Sequence, residues 1–395
     1  MAGQANDLSR SLVAFEQEST VVVIVEMSNS SWLISGMLPG IERQPLKKID
    51  PDPSALLGLV ERWQEVSRKA GKTVIRTVLA YEAGRDGFWL ARWLRRRGIE
   101  VHVIHSASVA VSREHKRAKT DRLDTIMLKR VFLGWLRGER GHCSMVCIPT
   151  LEEEDAKRPS RERETLVGHR TQIINRIKSV LAFLGVRGFN PVLKKAPQQL
   201  DALRTPEGGP IPPNTLEAVR RDMAHLALVR EQIEAIEESR KRQLEAVASG
   251  VRSNTAASMV LLLCRIIGVG VETADMLVHE VFCRDFRDRR AIARYAGLTG
   301  SPDESGSRRR EKGLMKAGNA RVRRGLIQLA WRMVRFQPTC DLVKWYHDRV
   351  KNGGRKTTII TALARKVLIA LWRLVTTGAV PEGLALRPSS FGSAA

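Results

Sequence analysis

The chain has little cysteine, and what it has is scattered. The five residues, Cys143, Cys147, Cys264, Cys283 and Cys340, are odd in number and show no repeating spacing, so no disulfide framework is expected. His142, Cys143 and Cys147 lie close together, but no second pair follows at zinc-site spacing, and zinc is not expected. The usage fits reduced thiols in a cytoplasm. No run reaches the ~18 apolar residues of a membrane span. The N-terminus shows no apolar core behind a basic start, so no signal peptide is read. Acid is also scarce: 42 Asp plus Glu face 66 Lys plus Arg, a formal charge of +24. That excess points to a polyanionic partner, of which nucleic acid is the usual one. It sets affinity and salt dependence but carries no sequence information by itself.

What remains is a globular composition, 43% hydrophobic and 27% charged over 395 residues, enough for two or three domains. Residues 1–18 are polar and read as a flexible arm. Thr20–Val25 is a β-branched run and reads as a buried strand ending at Glu26. Strands are expected over Trp32–Leu38 and Pro45–Ile49, then a helix over Ser54–Ala70. A strand over Thr73–Ala80 runs into Glu82, followed by a helix over Phe88–Arg97 and a strand over Ile99–Ile104. A helix carrying Asp121 and Asp124 closes the region. That order predicts a ribonuclease-H-like α/β domain over 19–144, a hairpin sheet extended by parallel strands. Residues 145–164, with Pro149 and Pro159, read as a linker. A helical coiled-coil arm is expected over 165–250, because Leu216, Val219, Met223, Leu226, Val229, Ile233 and Ile236 are spaced in near-heptads. Its seam serves either dimerisation or packing on the preceding helix. A mainly α C-terminal domain over 255–380 opens with a helix-hairpin-helix-like unit at Leu261–Val281, turning at Gly268-Val269-Gly270. Residues 381–395 form a tail.

Two groups of residues could carry chemistry. Glu26, Glu82, Asp121 and Asp124 fall where such a sheet puts its sites, at strand C-terminal edges and the following helix. Asp121 and Asp124 are three apart, on one helical face. Four carboxylates suit a two-metal site, because hard ions such as Mg²⁺ prefer oxygen and a pair clamps both oxygens of a displacement. The basic run before them, Arg113, Lys116, Arg117 and Lys119, would draw in phosphates. The second group surrounds Ser305 in a Gly/Ser/Asp-rich loop. From Ser305 to Arg324 there are eight basic residues and one acidic one: Arg308, Arg309, Arg310, Lys312, Lys316, Arg321, Arg323 and Arg324, with Asn319 among them. Serine is a poor nucleophile until its charge is stabilised, and clustered Arg could do that at a phosphate. Composition alone equally allows a phosphate-binding loop, and Ser301 and Ser307 are nearby.

Several motifs taken together resemble a known family. They are VVVIVEMSNSSW around Glu26, TVLAYEAGRDG around Glu82, KRAKTDRLDTIMLKR, IIGVGVETADML, FRDRRAIARYAGLTGSPDESG and KGLMKAGNARVRRGLI. In this order they resemble the transposases of the insertion sequence 110 family, to which pilin-gene invertases are related. The resemblance implies an N-terminal DEDD, RuvC-like domain and a C-terminal serine domain. It implies a recombinase that excises and inserts mobile DNA in a bacterial, nucleoid-associated setting. Carried over by motif, Glu26, Glu82, Asp121 and Asp124 would bind Mg²⁺ (two ions per site), and Ser305 would attack the DNA phosphate. Double-stranded donor and target DNA, a structured non-coding guide RNA and assembly as a dimer or a dimer of dimers are likewise implied. One position departs from the pattern: the first acid is usually Asp, and here it is Glu26. Three alternatives stay open on sequence grounds: a metal-dependent junction nuclease, a site-specific invertase, and an inactive nucleic-acid-binding relative.

Overall fold

The structure, a computed structural model, describes residues 8–84, 87–109, 121–251, 253–305, 308–314 and 317–388; the side chains of residues 107, 121 and 301–312 lie outside the described set. The chain divides into two compact units, Met1–Glu152 with Phe286–Asp288, and Glu153–Asp285 with Arg289–Ala395.

The first unit is built on a six-stranded mixed sheet. In chain order it runs β1 (Thr20–Met27), β2 (Trp32–Met37), β3 (Leu46–Ile49), α1 (Pro53–Lys69), β4 (Arg76–Glu82), α2 (Trp89–Arg95), β5 (Glu100–Ile104), α3 (Asp121–Leu136) and β6 (Met145–Val146). The spatial order is β3-β2-β1-β4-β5-β6. β1, β4 and β5 are parallel, and β2, β3 and β6 join antiparallel.

β1 is apolar throughout because both faces are covered, as is usual where helices flank parallel strands. Val21, Val23 and Val25 pack with Leu56, Leu59 and Trp63 of α1 and Leu90 and Leu94 of α2. Val22 and Ile24 pack on the other face with Leu128, Val131, Phe132 and Trp135 of α3. The helix α1 starts where Asp52 accepts a hydrogen bond from the Ser54 N–H at 2.8 Å, a normal side-chain cap.

Two expectations for this region need revision. The N-terminal arm is tied down from Leu8: Trp135 Nε1 and the Met145 N–H both donate to the Leu8 carbonyl, at 3.1 and 2.8 Å. The expected linker is largely ordered secondary structure. It supplies the edge strand β6, a short helix α4 (Leu151–Asp155) and the first turns of α5 (Arg158–Phe183). Pro159 sits in the first turn of α5, where a missing N–H costs nothing, so it starts that helix rather than interrupting it.

Among the described residues, the second unit is helical apart from one hairpin. α5 is followed by α6 (Ala196–Ala202) and the long α7 (Pro213–Ala248). α7 runs antiparallel to α5, since Arg163 pairs with Glu237 and Arg176 with Asp222. The near-heptad seam of α7 is used inside the chain: Val219, Leu226, Val229 and Ile233 bury against Ile173, Ile177 and Leu181. α8 (Thr255–Cys264) and α9 (Val271–Leu277) flank the expected Gly268–Gly270 turn, where Gly268 takes a φ of 93°. α9 continues through a π-helical turn over Val278–Phe282. α10 (Arg289–Tyr295) leads to strands β7 (Gly300–Ser305) and β8 (Arg308–Leu314), then α11 (Ala320–Phe336), α12 (Asp341–Lys351) and α13 (Lys356–Thr377). The core side of α13 is lined by Ile360, Leu363, Val367, Leu368 and Leu371 at helical spacing. The segment around Ser305, expected as a loop, is thus largely a β-hairpin in which Ser305 pairs with Arg308.

Candidate active site

β1 and β4 bring two of the predicted acids level. Their last paired residues are Val25 and Tyr81, so Glu26 and Glu82 each stand one step beyond, on adjacent strands about 4.8 Å apart. Alternation decides which face they take. Glu26 lies two residues after Ile24, and Glu82 two after Ala80. Ile24 and Ala80 both face the layer formed by α3, so both acids do too. Each is half-buried, and the Glu26 Oε2 atom is shielded from solvent. Glu82 forms no ion pair among the described residues.

α3 supplies the other half. Asp124 is half-buried and lies four residues before Leu128, which is 2% exposed in the α3–sheet core. One turn of helix therefore puts Asp124 on the sheet-facing side, toward the end of the helix nearest its start. Asp121 is the first residue of α3, and its side chain lies outside the described residues. Among the described residues, no three His, Cys, Asp or Glu side chains already form a metal-holding group. The structure brings Glu26 and Glu82 side by side and sets Asp124 on the same layer. Arg113, Lys116, Arg117 and Lys119 lie outside the described residues.

The unused alternative, His142 with Cys143 and Cys147, has a different arrangement. His142 Nε2 pairs with Glu139 at 2.6 Å, and Cys143 Sγ is buried 3.5 Å from the Val131 carbonyl. Burial pushes the Cys143 thiol up to about 12.

In the second unit, the hairpin that carries Ser305 has a braced base. Gly297 precedes β7 and Gly318 follows β8, with φ of 64° and 88°. A Cβ on Gly318 would lie 2.6 Å from the Gly297 nitrogen and 2.7 Å from the Arg294 carbonyl oxygen. Only glycine permits so close a backbone approach. The Asn319 N–H donates to the Tyr295 carbonyl at 2.7 Å. The Asn319 side chain caps α11, accepting from the Arg321 and Val322 N–H groups at 3.1 and 3.2 Å.

Behind that base sits a carboxylate that sequence reasoning missed. Glu280 is 2% exposed. Arg161 donates to it through Nε at 2.7 Å and Nη2 at 3.0 Å, and Arg321 through Nη1 at 2.9 Å. Asn319 Nδ2 lies 3.4 Å from the second oxygen. Tyr295 donates its hydroxyl proton to the Glu280 carbonyl at 2.8 Å. Burial alone would raise the Glu280 carboxyl, but hydrogen bonds and charge from Arg161 and Arg321 outweigh it and hold it below the usual range.

Several residues read as nucleic-acid contacts therefore also have structural roles. Arg321 further pairs with Glu164 and donates to the Ser160 hydroxyl and carbonyl, both at 2.9 Å. Arg324 pairs with Glu164 but stays 65% exposed, and Arg323 Nη1 donates to the Ala317 carbonyl at 3.3 Å. Ser305, Arg308, Arg309, Arg310 and Lys312 are placed by backbone only, on the two hairpin strands; Lys316 lies outside the described residues. The sequence signal for Glu280 was a lone acid inside the apolar run LVHEVF.

Comparison with known proteins narrows the function. Residues 260–343 match the sequence model described as Transposase IS116/IS110/IS902 family, a span that contains the turn, Glu280 with Arg321 and Asn319, and the Ser305 hairpin. The chain is 40% identical over 375 residues to y4rJ of Sinorhizobium fredii (strain NBRC 101917 / NGR234), named there as a candidate transposase, covering 93% of this chain and 94% of that protein. A second candidate transposase of the same organism, y4qE, is 25% identical over 357 residues, covering 80% and 82%. With one such relative matched along almost its whole length, the chain belongs to the IS110/IS116/IS902 family of transposases.

Proposed function

We propose that this transposase cuts and rejoins DNA through the hydroxyl of Ser305, with Glu26, Glu82, Asp121 and Asp124 holding Mg²⁺ beside the reacting phosphate. The observation that carries the reading is the shared level of Glu26 and Glu82 at the ends of adjacent parallel strands. They stand on the face where α3 presents Asp124 one turn before Leu128. The strand order β3-β2-β1-β4-β5 supports taking this unit as ribonuclease-H-like, of the RuvC kind. An all-carboxylate donor set suits a hard, oxygen-seeking ion. When bound, such ions stabilise the negative charge that grows on the phosphate and on the departing oxygen.

The chain's own residues would then act as follows. Ser305 Oγ forms a bond to phosphorus while the bond from phosphorus to one deoxyribose oxygen breaks. The serine proton is given up, the departing oxygen takes one up, and the DNA is left esterified to Ser305. A hydroxyl of another DNA end reverses the exchange and releases the serine, so ends are rejoined without an external energy source. Arg308, Arg309 and Arg310 share the hairpin with Ser305 and have the charge and fork geometry that non-bridging phosphate oxygens call for. Glu26, with one methylene more than the usual Asp, moves its oxygens by about a bond length and would tune the site rather than remove a ligand.

The element-derived structured RNA and the dimer-of-dimers assembly belong to the same proposal through the family resemblance. Base pairing would choose the sequence while a +24 chain supplies backbone affinity.

A suicide DNA substrate tests the reading. Protein–DNA adduct should accumulate and map to the peptide holding Ser305. A Ser305→Ala protein that still cuts at the wild-type rate would show that water, not serine, is the nucleophile.

A further inference from the structure

The second unit holds a basic groove that the proposed chemistry does not use. α10, α12 and α13 border a cavity of about 410 Å³ whose wall carries Arg289, Arg290, Arg365 and Lys366, with Trp345 and Ile369 as its apolar part. Among the described residues, no carboxylate lines it. Elsewhere in this unit arginines close on acids, as Arg161 does on Glu280 at 2.7 Å and Arg240 on Glu272 at 2.5 Å. Among the described residues, Arg289, Arg365 and Lys366 form no ion pair. Lys366 Nζ instead lies 4.6 Å from the centre of the Trp345 ring.

The final helix explains how the groove is made. Leu363, Val367, Leu368 and Leu371 turn inward to the core, which leaves Arg365, Lys366 and Ile369 along the opposite stripe. Several cations gathered on one concavity repel each other, and that cost is offset when a ligand of repeating negative charge enters. An aromatic and aliphatic patch beside the cations suits sugars, which lie between successive phosphates of a strand.

We infer that this groove binds the phosphate backbone of a nucleic-acid strand and forms a contact surface whose residues are distinct from those around Ser305. The inference rests on the reading of the chain as a nucleic-acid enzyme and adds a surface to it.

The test uses the full-length protein with two labelled probes, a duplex DNA and a single-stranded RNA, titrated over a range of salt. Each lost phosphate contact lowers the slope of log affinity against log salt by about 0.9 for duplex or about 0.7 for a single strand. Arg289→Ala/Arg365→Ala/Lys366→Ala is expected to flatten the slope by about 2–3 on at least one probe. Arg289→Ala/Lys366→Ala, which changes exposed side chains only, is expected to flatten it by about 1.4–1.8. A loss confined to the duplex assigns the groove to DNA, and one confined to the single strand assigns it to RNA. Unchanged slopes on both probes, with wild-type binding intact, overturn the inference and leave the proposed chemistry standing. A wild-type protein that binds neither probe overturns both.

Discussion

Glu82 and Glu280 are both carboxylates at least partly withdrawn from solvent, yet they are held in opposite ways. Glu280 lies in the second unit at 2% exposure, gripped by two arginines and approached by an asparagine. Glu82 lies at a strand end in the first unit, half-buried, beside the neighbouring carboxylate of Glu26, with no ion pair among the described residues. A buried charge is tolerated when its partners are built in. Two acids set level on adjacent strands are instead a poor arrangement for stability and a good one for receiving a cation. The same sheet makes the point at its other end. There Glu100 meets Arg76 through two hydrogen bonds of 2.7 and 2.8 Å and His102 at 2.7 Å. Burial raises that carboxyl, but those hydrogen bonds prevail and take it down to about 2. Glu100, at a strand start, is neutralised by partners built into the fold, whereas Glu82, at a strand end, has no ion pair among the described residues, as the proposed metal role requires.

If that contrast is right, the largest effect belongs to Glu82→Ala. DNA cleavage should fall by about 10³-fold, while thermal unfolding shifts by no more than about 0.5 kcal/mol; cleavage assays alongside calorimetry check both. Glu280→Gln should invert the pattern. It leaves Arg161 and Arg321 without their buried partner and should cost about 3 kcal/mol in denaturant unfolding. The Glu280 interaction also predicts a pH dependence. A carboxyl held below its unfolded value adds stability above that value, about pH 4.3, and loses it as the pH falls through the folded value. The wild-type protein should therefore weaken on acidification below about pH 4, and Glu280→Gln should flatten that part of the curve. Gly318→Ala sharpens the comparison on the hairpin side. A left-handed φ and a backbone contact of 2.6 Å predict a loss of about 2 kcal/mol, with cleavage falling further than the folded fraction because the Ser305 hairpin is misplaced. The smallest change is expected from Glu26→Asp, a rate shift of about two- to fivefold in steady-state cleavage.

Much of the first unit was legible in the sequence. β-branched runs at Thr20–Val25 and the apolar repeat of Leu56, Leu59 and Trp63 are local signals, and local signals fix both the strands and the helix. The acids could be placed because strand ends and a helix start are also local. β6 was missed because a two-residue edge strand, Met145–Val146, has no pattern of its own and exists through its pairing with β5. The boundary between the units does fall inside the expected linker, but its ordered structure was missed because Pro159 was read as a breaker although it occupies a helix's first turn. The β7–β8 hairpin escaped notice because a strand rich in Arg and Glu lacks the apolar alternation by which strands are recognised. Glu280 was invisible for a different reason: its partners Arg161 and Arg321 lie 119 and 41 residues away, and only the folded chain brings them together. The near-heptad in α7 left two uses open, and packing on α5 is the one the chain displays.

The central claim is that the strand-end acids and the hairpin serine serve one reaction. The most direct measurement is the yield of covalent DNA adduct formed by Asp124→Asn and Glu82→Ala proteins, both with Ser305 intact, on a suicide substrate in Mg²⁺. The account predicts folded proteins that bind DNA and form almost no adduct. Adduct at the wild-type yield in either variant would contradict it, because the serine would then be working without the acids.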